Sequence, residues 1–584
     1  MNTISYPERS SCWKFRFEGP EPDAAILESM ADSLEISPFL AKLLWQRGMT
    51  SFDDMRFFLS PGLRHLAPPE KWPGFLDAAQ HIAHDLADGK TLLVWGDYDV
   101  DGITSTALVI EFLERHGFAA RHHIPSRLEE GYGLTTSTVE RLASEGVGIL
   151  LTVDCGISDV EAIGRARELG LTVIVSDHHL PGETLPPANA ICNPRIGDTP
   201  CPGLAGVGVA FMLMATLGAV FAGQGKERVD MRDFLDLAAL GTLADVVDLS
   251  GQNRILVKNG LLTIGSGGRP GIAALKSVCN QSPTGTLEAS QVVFQLAPRI
   301  NAAGRLGQSE VALRLLLTRD REEATRLAVQ LDELNTARRE EEKQIQIEAM
   351  EQAESQAGIG RMGLVLHAPH WHPGIIGIVA SRVVEKYHRP AVVLCDDRGA
   401  VKGSGRSVAS FDLHAALTEC AGLFQAFGGH KQAAGVTMSP DMLPVFREQF
   451  NDIALRELGL TPSPPLVLVD GDLSFSGAAD FTCLKELELL QPFGPGNPEP
   501  VFMSPPVRVA SVQNKFGGLT ITQLTHEESG ITLKAKTWKE SGAIPQSMKG
   551  ASVRLAYTPR IDRYNGAAQV ELKLRDWQTA GGKS

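Results

Sequence analysis

Short apolar runs alternate with amphipathic segments between residues 75 and 250 of the chain. Runs at 92–95, 120–124, 148–153 and 171–175 predict buried strands, and helices are predicted at 106–116, 136–145 and 159–169. Strands that alternate with helices predict a parallel sheet covered on both faces. Ligands of such sheets bind outside the carboxyl ends of the strands, so a site is expected among the polar residues that follow each strand.

Three aspartates follow the first predicted strand at every second position: Asp97, Asp99 and Asp101. In an extended backbone, side chains two residues apart point the same way. We therefore expect three carboxylates on one side, with a hard divalent cation between them. A calcium-binding EF-hand loop opens similarly, but it needs a glutamate at its twelfth position, where this chain has Leu108. A strand-ending turn explains only one of the aspartates.

Further potential ligands follow the later strands or lie in a later apolar segment. They are Asp154, Asp177, His178, His179 and Asp245. The polar residues after the second strand include Arg127 and Tyr132. Each has an ordinary alternative, since an aspartate after a strand often caps a helix and loop histidines are often surface residues. Their joint placement at one sheet edge favours a polynuclear metal centre.

Glycine-rich segments occur at 203–208, 403–407 and 427–435. The first is not a dinucleotide-binding loop, because Phe211 stands where that motif needs glycine or alanine, and its glycines are interpreted as helix packing. The other two are predicted to be loops that approach a phosphate. They contain Ser404, Arg406, Gly429 and His430. Ordinary turns also use glycine, so these patterns are weak by themselves.

The C-terminal region is predicted to form a small β-barrel, from strand-like runs at 507–513, 531–538, 552–557 and 568–574. Cations interleave there with aromatic residues, which suits single-stranded nucleic acid because bases stack on aromatic rings and phosphates need positive charge. These residues are Lys534, Lys536, Lys539, Arg554, Arg560, Arg563, Phe516, Trp538, Tyr557 and Tyr564. The solvated surface of an ordinary barrel explains the pattern nearly as well.

The composition indicates a soluble multidomain protein. With 584 residues the chain is too long for one core. We expect no membrane span, because we expect no apolar run to approach the ~18 residues that a membrane-spanning helix needs. The eight cysteines contain no CxxC pair, so reduced thiols and a cytoplasmic location are expected. The net charge of −14 argues against a protein that coats nucleic acid non-specifically.

The motifs at 97–102, 154, 177–179 and 244–245 resemble, in order, the four motifs of the DHH phosphoesterase superfamily. Segments 403–407 and 429–435 resemble its associated C-terminal domain. The whole chain resembles those bacterial members that degrade single-stranded DNA from the 5′ end. The resemblance implies a helical lead-in (1–70), a DHH domain (71–318), a connecting helix (319–357), a second α/β domain (358–460) and an OB-like β-barrel (466–578). The fold class is thus α/β multidomain.

The resemblance also implies a centre of two Mn²⁺ or Mg²⁺ ions. Asp97 and Asp99 would hold one ion, Asp101, His178 and Asp245 the other, and Asp154 would bridge them. The remaining roles are implied for the substrate: His179 would contact the scissile phosphate, and the strand would be bound by Arg127, Tyr132, Ser404, Arg406, Gly429, His430 and either Arg299 or Arg305. The implied partners are single-stranded DNA, a single-stranded DNA-binding protein and a helicase. We expect a monomer without membrane association.

Two alternatives stay open at this point. One is a DHH phosphodiesterase for short oligonucleotides or cyclic dinucleotides, or a pyrophosphatase; the predicted strand-binding barrel argues against it. The other is a catalytically inactive nucleic-acid scaffold, and the complete set of metal ligands argues against that.

Overall fold

A computed structural model describes residues 12–20, 22–126, 130, 133–461, 466–515, 518–538, 542–563 and 568–580. The chain forms two compact units. One contains Gly62–Ser463 with Gly494–Asn497, and the other contains Met1–Pro61, Pro464–Phe493 and Pro498–Ser584. The described segments nearest to the two ends of the chain therefore belong to the same unit. The domain boundaries given above stay predictions.

The N-terminal region contains one strand and three helices: β1 (Cys12–Phe15), α1 (Ala24–Leu34), α2 (Pro38–Gln46) and α3 (Phe52–Leu59). Ser37 caps α2, since its hydroxyl accepts a hydrogen bond from the backbone N–H of Leu40 at 3.2 Å. Apolar side chains of α2 and α3 are buried in a core that they share with the C-terminal domain. This region is thus part of a larger folded unit.

The first α/β domain is built on a five-stranded sheet. Its elements are α4 (Phe75–Ala87), β2 (Thr91–Gly96), α5 (Val100–Arg115), β3 (Ala120–His123), α6 (Thr136–Ser144), β4 (Val147–Val153), α7 (Val160–Glu168), β5 (Thr172–Ser176) and β6 (Ala190–Cys192). The order β3-β2-β4-β5-β6 is parallel throughout. All four predicted strands are present, and β2, β4 and β5 are buried and continuously apolar. Strand β3 lies at the sheet edge, contains Arg121 and two histidines and is partly exposed, so the prediction that it is buried is wrong. Strand β6, of three residues, was too short to be identified from the sequence.

Helices complete this domain. They are α8 (Gly206–Gly223), α9 (Leu235–Ala244), α10 (Gly251–Ser266), α11 (Pro270–Val278), α12 (Ala289–Gln291), α13 (Ala297–Arg305) and α14 (Ser309–Leu317), with a π-helical turn at Val292–Leu296. Helix α8 has 18 residues and is apolar enough to cross a membrane by length and composition, so the expectation that no run approaches this length is wrong. Of its 18 residues, 67% are buried, and Leu213 and Phe221 belong to the core. Helix α8 is therefore a core helix.

A long helix, α15 (Arg321–Gly358), has 38 residues and spans about 57 Å at ~1.5 Å per residue. Its first half buries Leu327 and Leu331 in the core of the first α/β domain. Its second half buries Ile345 and Ala349 in a different core, which also contains Trp371. The helix therefore connects two cores, as the sequence predicts for this polar segment.

The second α/β domain contains β7 (Leu364–His367), α16 (Ile376–Tyr387), β8 (Ala391–Asp397), β9 (Ala400–Arg406), α17 (Leu413–Glu419), β10 (Phe424–His430), β11 (Ala433–Met438) and α18 (Leu443–Leu458). The strand order is β10-β11-β9-β8-β7. Strands β7 and β8 are parallel, and the other pairs are antiparallel. Apolar runs at 363–367 and 391–395 predict two strands from the sequence, and these are confirmed as β7 and β8.

The glycine-rich segments of this domain are strands, so the prediction that they are loops is wrong. Segment 403–407 belongs largely to β9, and segment 427–435 forms the hairpin of β10 and β11. Packing explains the glycine at position 403. A Cβ there would lie 2.3 Å from Leu394 Cδ2 and 2.7 Å from Val436 Cγ2. The neighbouring strands leave no room for a side chain.

The C-terminal domain contains β12 (Leu466–Val469), β13 (Gly471–Asp472), α19 (Phe475–Ala479), α20 (Phe481–Leu489), β14 (Phe502–Met503), β15 (Val507–Lys515), β16 (Leu519–Thr525), β17 (Thr532–Thr537), β18 (Ser552–Asp562) and β19 (Gln569–Thr579). Strand β15 pairs with β16, β16 with β17, β17 with β19, β19 with β18, and β18 again with β15. Five strands therefore close into a ring, as in an OB-fold. Of these five ring strands, β16 is not predicted from the sequence.

Candidate metal centre

The three aspartates after β2 do not share one extended backbone. Asp99 is the N-cap of α5, and its Oδ1 accepts hydrogen bonds from the backbone N–H groups of Asp101 (2.9 Å) and Gly102 (3.1 Å). Asp101 consequently lies in the first helical turn. The predicted alternation along a strand, and the predicted start of the helix at residue 106, are therefore wrong. A Cβ on Gly102 would lie 2.4 Å from the carbonyl oxygen of Asp97, so this tight turn requires glycine.

The fold nevertheless brings the acidic residues together. Asp97, Asp99 and Asp154 offer ligand atoms that all lie within 4.8 Å of one another. The same limit holds for Asp101, His178 and Asp245. Asp97 follows β2 and Asp154 follows β4, so adjacent parallel strands deliver two carboxylates to the same edge. These are two adjoining sets of potential metal ligands.

Asp154 and His178 connect the two sets. Together with His179 they form a third group of potential ligands within the same 4.8 Å. Asp154 Oδ1 lies 3.1 Å from His178 Nε2, and Asp245 Oδ2 lies 3.6 Å from the same nitrogen. Asp154 also has a positive φ of 61°, which is uncommon for a residue other than glycine and is often found at functional sites.

Asp245 reaches the centre from the end of a helix, where it is the C-cap of α9. Helix α9 packs closely on α5 because Gly241 has no side chain. A Cβ at Gly241 would lie 2.3 Å from Thr104 Oγ1 and 2.8 Å from Asp101 Oδ1. The close contact between the two helices therefore brings Asp245 to the aspartates of α5.

Several buried atoms of this centre lack a conventional partner. Among the described residues, Asp154 Oδ1, Asp245 Oδ2 and both ring nitrogens of His178 make no hydrogen bond. Buried polar atoms are normally satisfied, so a ligand is expected between them. Carboxylate oxygens with one imidazole suit Mn²⁺ or Mg²⁺ better than a soft metal. The residues present therefore fit a divalent cation.

The electrostatics agree with this. Burial and the charge of Asp99 raise the pKa of Asp101 to about 7. Burial, followed by the charges of Asp101 and Asp99, raises the pKa of Asp245 to about 9. The pKa of Asp154 is raised well above its usual value, first by burial and then by the neighbouring aspartates. A divalent cation would remove this repulsion, because it favours the charged form of each carboxylate.

The two histidines differ in charge. Burial, followed by the charge of His179, lowers the pKa of His178 to about 4, so His178 is neutral and available as a metal ligand. Burial alone would also lower the pKa of His179. The hydrogen bond from its Nδ1 to Asp177 Oδ1 (2.7 Å), with the charge of Asp177, outweighs that effect and raises the pKa to about 9. His179 is therefore a cation at neutral pH.

Asp177, which has no assigned role in the sequence-based prediction, has a structural role. Its Oδ1 accepts hydrogen bonds from the backbone N–H groups of His178 (2.7 Å) and His179 (3.1 Å), and its Oδ2 accepts one from Ile157 N (2.9 Å). Asp177 thus fixes the loop that carries both histidines. Its position within the Asp-His-His motif is the signal that could have suggested this.

Gly206 also has a role at the centre that the sequence does not indicate. Its backbone N–H donates to Asp101 Oδ2 (2.7 Å), and the next N–H, of Val207, donates to Asp101 Oδ1 (2.8 Å). A Cβ on Gly206 would lie 2.6 Å from Asp154 Oδ1. The interpretation as helix packing is therefore wrong for Gly206. The N-terminus of α8 orients an acidic residue of the centre.

A separate cleft of about 800 Å³ lies on the sheet of the second α/β domain, and Ser404, Arg406, Gly429 and His430 all line it. The register places Gly428, Gly435 and Ser404 in one row across three strands, and His430, Ala433 and Arg406 in a row two positions further along. A Cβ at Gly428 would meet no atom within 4 Å, so part of the floor is bare backbone. The cleft combines an open floor with cationic side chains.

The two candidate arginines of α13 differ in their surroundings. Arg299 forms a salt bridge with Asp332 (2.7 Å) and donates to the carbonyl oxygen of Gln295 (2.6 Å). Arg305 donates instead to the carbonyl oxygen of Gly374 (2.5 Å), a residue that lines the cleft. Only Arg305 is thus tied to the cleft. Arg127 and Tyr132 lie outside the described residues.

The C-terminal domain uses many of the predicted DNA-binding groups internally. Tyr557 is fully buried and its hydroxyl donates to the carbonyl oxygen of Leu473 (2.9 Å), so it cannot stack on a base. The cations with carboxylate partners are Lys536 with Asp562, Arg560 with Glu571 and Arg563 with Glu488. Lys534, Arg554 and Trp538 are exposed. Phe516, Lys539 and Tyr564 lie outside the described residues.

Known proteins place this arrangement in a family. The family described as the DHH family, N-terminal domain, matches residues 91–242, the DHHA1 domain matches 362–455 and the RecJ OB domain matches 469–576. The single-stranded-DNA-specific exonuclease RecJ of Dickeya dadantii is 38% identical over an alignment of 565 positions that covers 92% of this chain and 95% of that protein. The chain belongs to the RecJ family.

Solved structures of RecJ agree with this assignment. RecJ of Thermus thermophilus in complex with Mn²⁺ is 32% identical, with a TM-score of 0.82 over 98% of this chain and 80% of that one. The same protein in complex with Mg²⁺ gives a TM-score of 0.76 and 30% identity, over 98% and 79%. The resemblance to the DHH superfamily and the α/β multidomain fold with an OB-like C-terminal domain are thus confirmed.

Proposed function

We propose that this chain is a metal-dependent exonuclease that degrades single-stranded DNA from its 5′ end and releases 5′-mononucleotides. The observation that carries the proposal is the set of six buried or partly buried aspartate and histidine side chains, in two adjoining groups of potential metal ligands, in a member of the RecJ family. The 5′→3′ direction rests on the family resemblance. Repair and recombination are the processes in which such an activity is expected.

The ligand geometry suggests how two ions would be held. Asp97, Asp99 and Asp154 would bind one, and Asp101, His178 and Asp245 the other, in line with the two groups of ligand atoms. Asp154 would contact both ions, since its Oδ1 lies 3.1 Å from His178 Nε2 in the second group. A pair of bound divalent ions supplies an activated water and stabilises the leaving oxygen of a phosphodiester.

The residues around the centre have separate tasks in this proposal. His179, held as a cation by Asp177, donates a hydrogen bond to a non-bridging oxygen of the scissile phosphate. The N–H groups of Gly206 and Val207 hold Asp101 in position. Burial of the aspartates excludes bulk water, which strengthens each of these interactions.

The cleft of the second α/β domain is proposed to bind the DNA strand next to its 5′ end. Arg406 and His430 line it as donors for phosphate oxygens, with Ser404 and Gly429 beside them. Arg305 is favoured over Arg299 because it is tied to the cleft through Gly374. Arg127 and Tyr132 are proposed as further contacts from the resemblance alone.

The C-terminal domain favours a long strand over a cyclic dinucleotide. A small substrate needs no second module, whereas this chain has an OB-like ring of five strands with Trp538 63% exposed. OB-folds commonly bind single strands by stacking bases on aromatic side chains. A single-stranded DNA-binding protein, a helicase, a monomeric state and a cytoplasmic location stay predictions.

End-labelled DNA tests the proposal. Single strands labelled at either end, a blunt duplex and a cyclic dinucleotide are incubated with the protein and Mn²⁺. We expect labelled mononucleotide at once from the 5′-labelled strand, and progressively shortened fragments from the 3′-labelled one. Faster cleavage of the duplex or of the cyclic dinucleotide would contradict the proposal. An Asp154→Ala variant should release nothing and still bind the strand.

A further inference from the structure

The rim of the metal centre carries an arginine that belongs to none of the motifs. Arg195 lies on the loop after β6 and is exposed. Its Nε donates a hydrogen bond to the backbone carbonyl oxygen of His178 at 2.7 Å. One side of the guanidinium group is therefore anchored next to a proposed metal ligand, while the group as a whole stays accessible to solvent.

A buried asparagine holds the backbone of this arginine. The N–H of Arg195 donates to Asn193 Oδ1 (2.9 Å), and Asn193 Nδ2 donates to the carbonyl oxygen of His179 (3.0 Å). Asn193 is only 2% exposed. Arg195 is thus linked to both histidine positions, through its side chain and through Asn193, so its place at the rim is defined by the fold.

Among the described residues, no carboxylate neutralises the charge of Arg195, which lies beside the loop of His178 and His179. In the part of the chain that the structure describes, Arg195 has no salt bridge within 4.0 Å, whereas the exposed Arg232 is paired with Asp230.

We propose that Arg195 binds a non-bridging phosphate oxygen of the DNA strand at the rim of the metal centre. A polyanion that approaches several aspartates is repelled by them, and a fixed cation at the entrance reduces that repulsion. Arginine suits this task because its N–H groups match phosphate oxygens in geometry. The inference rests on the proposed function and adds a substrate-binding residue to it.

Steady-state kinetics of Arg195→Gln on a 5′-phosphorylated single strand with Mn²⁺ tests the inference. We expect KM to rise about 10-fold, as for the loss of one charged hydrogen bond, with kcat within about twofold. The plot of log(kcat/KM) against log[salt] should become less steep by ~0.7, the contribution of one phosphate contact on a single strand. The matched control, Arg232→Gln, should change neither quantity.

A role in positioning His178 would give a different result. In that case Arg195→Gln would weaken Mn²⁺ binding, which electron paramagnetic resonance measures in the absence of DNA. The strand affinity and the salt slope would stay unchanged. This result would overturn the inference. So does an Arg195→Gln enzyme with wild-type KM and slope. Arg195→Lys, which keeps the charge, should recover most of the slope. A wild-type protein that releases no nucleotide would instead refute the proposed function.

Discussion

Gly206 offers the sharpest test of the metal centre, because its role is a matter of space. In Gly206→Ala the new Cβ would lie 2.6 Å from Asp154 Oδ1 and 2.9 Å from Asp101 Oδ2. Relaxed contacts between non-bonded heavy atoms are roughly 3.5 Å. Either the two carboxylates or the start of α8 would therefore have to move, so that each carboxylate oxygen lies about 0.6–0.9 Å further from the new Cβ.

The structure offers little freedom for that movement. The backbone N–H groups of Gly206 and Val207 hold the two oxygens of Asp101 at 2.7 and 2.8 Å, so displacing the carboxylate weakens these bonds. A misplacement of about 1 Å at a reacting centre can reduce the rate by ~10²-fold. Disturbing an atom that orients a metal ligand typically costs ~10–100-fold in metal affinity. We expect losses of this size in kcat and in Mn²⁺ binding.

The assay compares Gly206→Ala with Gly203→Ala, a control three positions earlier where an added Cβ meets no atom within 4 Å. Mn²⁺ affinity is measured by calorimetry, and kcat by mononucleotide release from a single strand. Strand affinity should be unchanged in both variants, because the cleft with Arg406 is not touched. A Gly206→Ala enzyme with the Mn²⁺ affinity and kcat of Gly203→Ala would refute the reasoning.

Three further predictions follow from the charges and contacts. In the folded metal-free chain, Asp245 and His179 both have a pKa of about 9, against ~3.9 and ~6.5 in the unfolded chain. Because the folded chain holds protons between pH 6.5 and 9 that the unfolded chain has lost, Tm measured in a chelator should fall as the pH rises through this range. Equal Tm values at pH 6.5 and 9 would contradict this. Mg²⁺ should remove most of that fall. Arg305→Ala should raise KM about 10-fold, whereas Arg299→Ala should lower Tm and leave KM unchanged. Steady-state kinetics and thermal melting measure both effects. A raised KM in Arg299→Ala, with an unchanged KM in Arg305→Ala, would contradict the choice of Arg305 as the substrate-binding arginine. Trp538→Ala should weaken binding of a long strand by about 1–3 kcal/mol, the value of one stacked base, and unchanged affinity in a fluorescence-anisotropy titration would exclude Trp538 from the strand path.

Much of the first α/β domain could be predicted because its strands are buried on both faces. Strands β2, β4 and β5 are continuous apolar runs, and the rule for parallel sheets then indicates where a ligand binds. The acidic residues at this edge could be identified for the same reason. Asp245 is different, because it ends a helix and only the packing of α9 on α5 brings it near the others.

Other features depend on tertiary contacts that a sequence does not display. The first turn of α5 contains Asp101 and Gly102 and is capped by Asp99, and the sequence pattern suggests extended chain there. Gly403 suggests a loop, but it is a strand residue without space for a side chain. Tyr557 is an aromatic residue near cations in the sequence. The pairing register of β18 and β19 decides which side chains face the core, and it places Tyr557 there. In each case the backbone environment outweighs the local propensity.

The central claim is that this chain holds two metal ions through a shared Asp154. Electron paramagnetic resonance of Mn²⁺ titrated into the metal-free protein measures this directly. The account predicts two ions per chain with a spin-coupled spectrum, and loss of the coupling in Asp154→Ala. A single uncoupled ion in the wild-type protein, or a coupled pair that persists in Asp154→Ala, would contradict it.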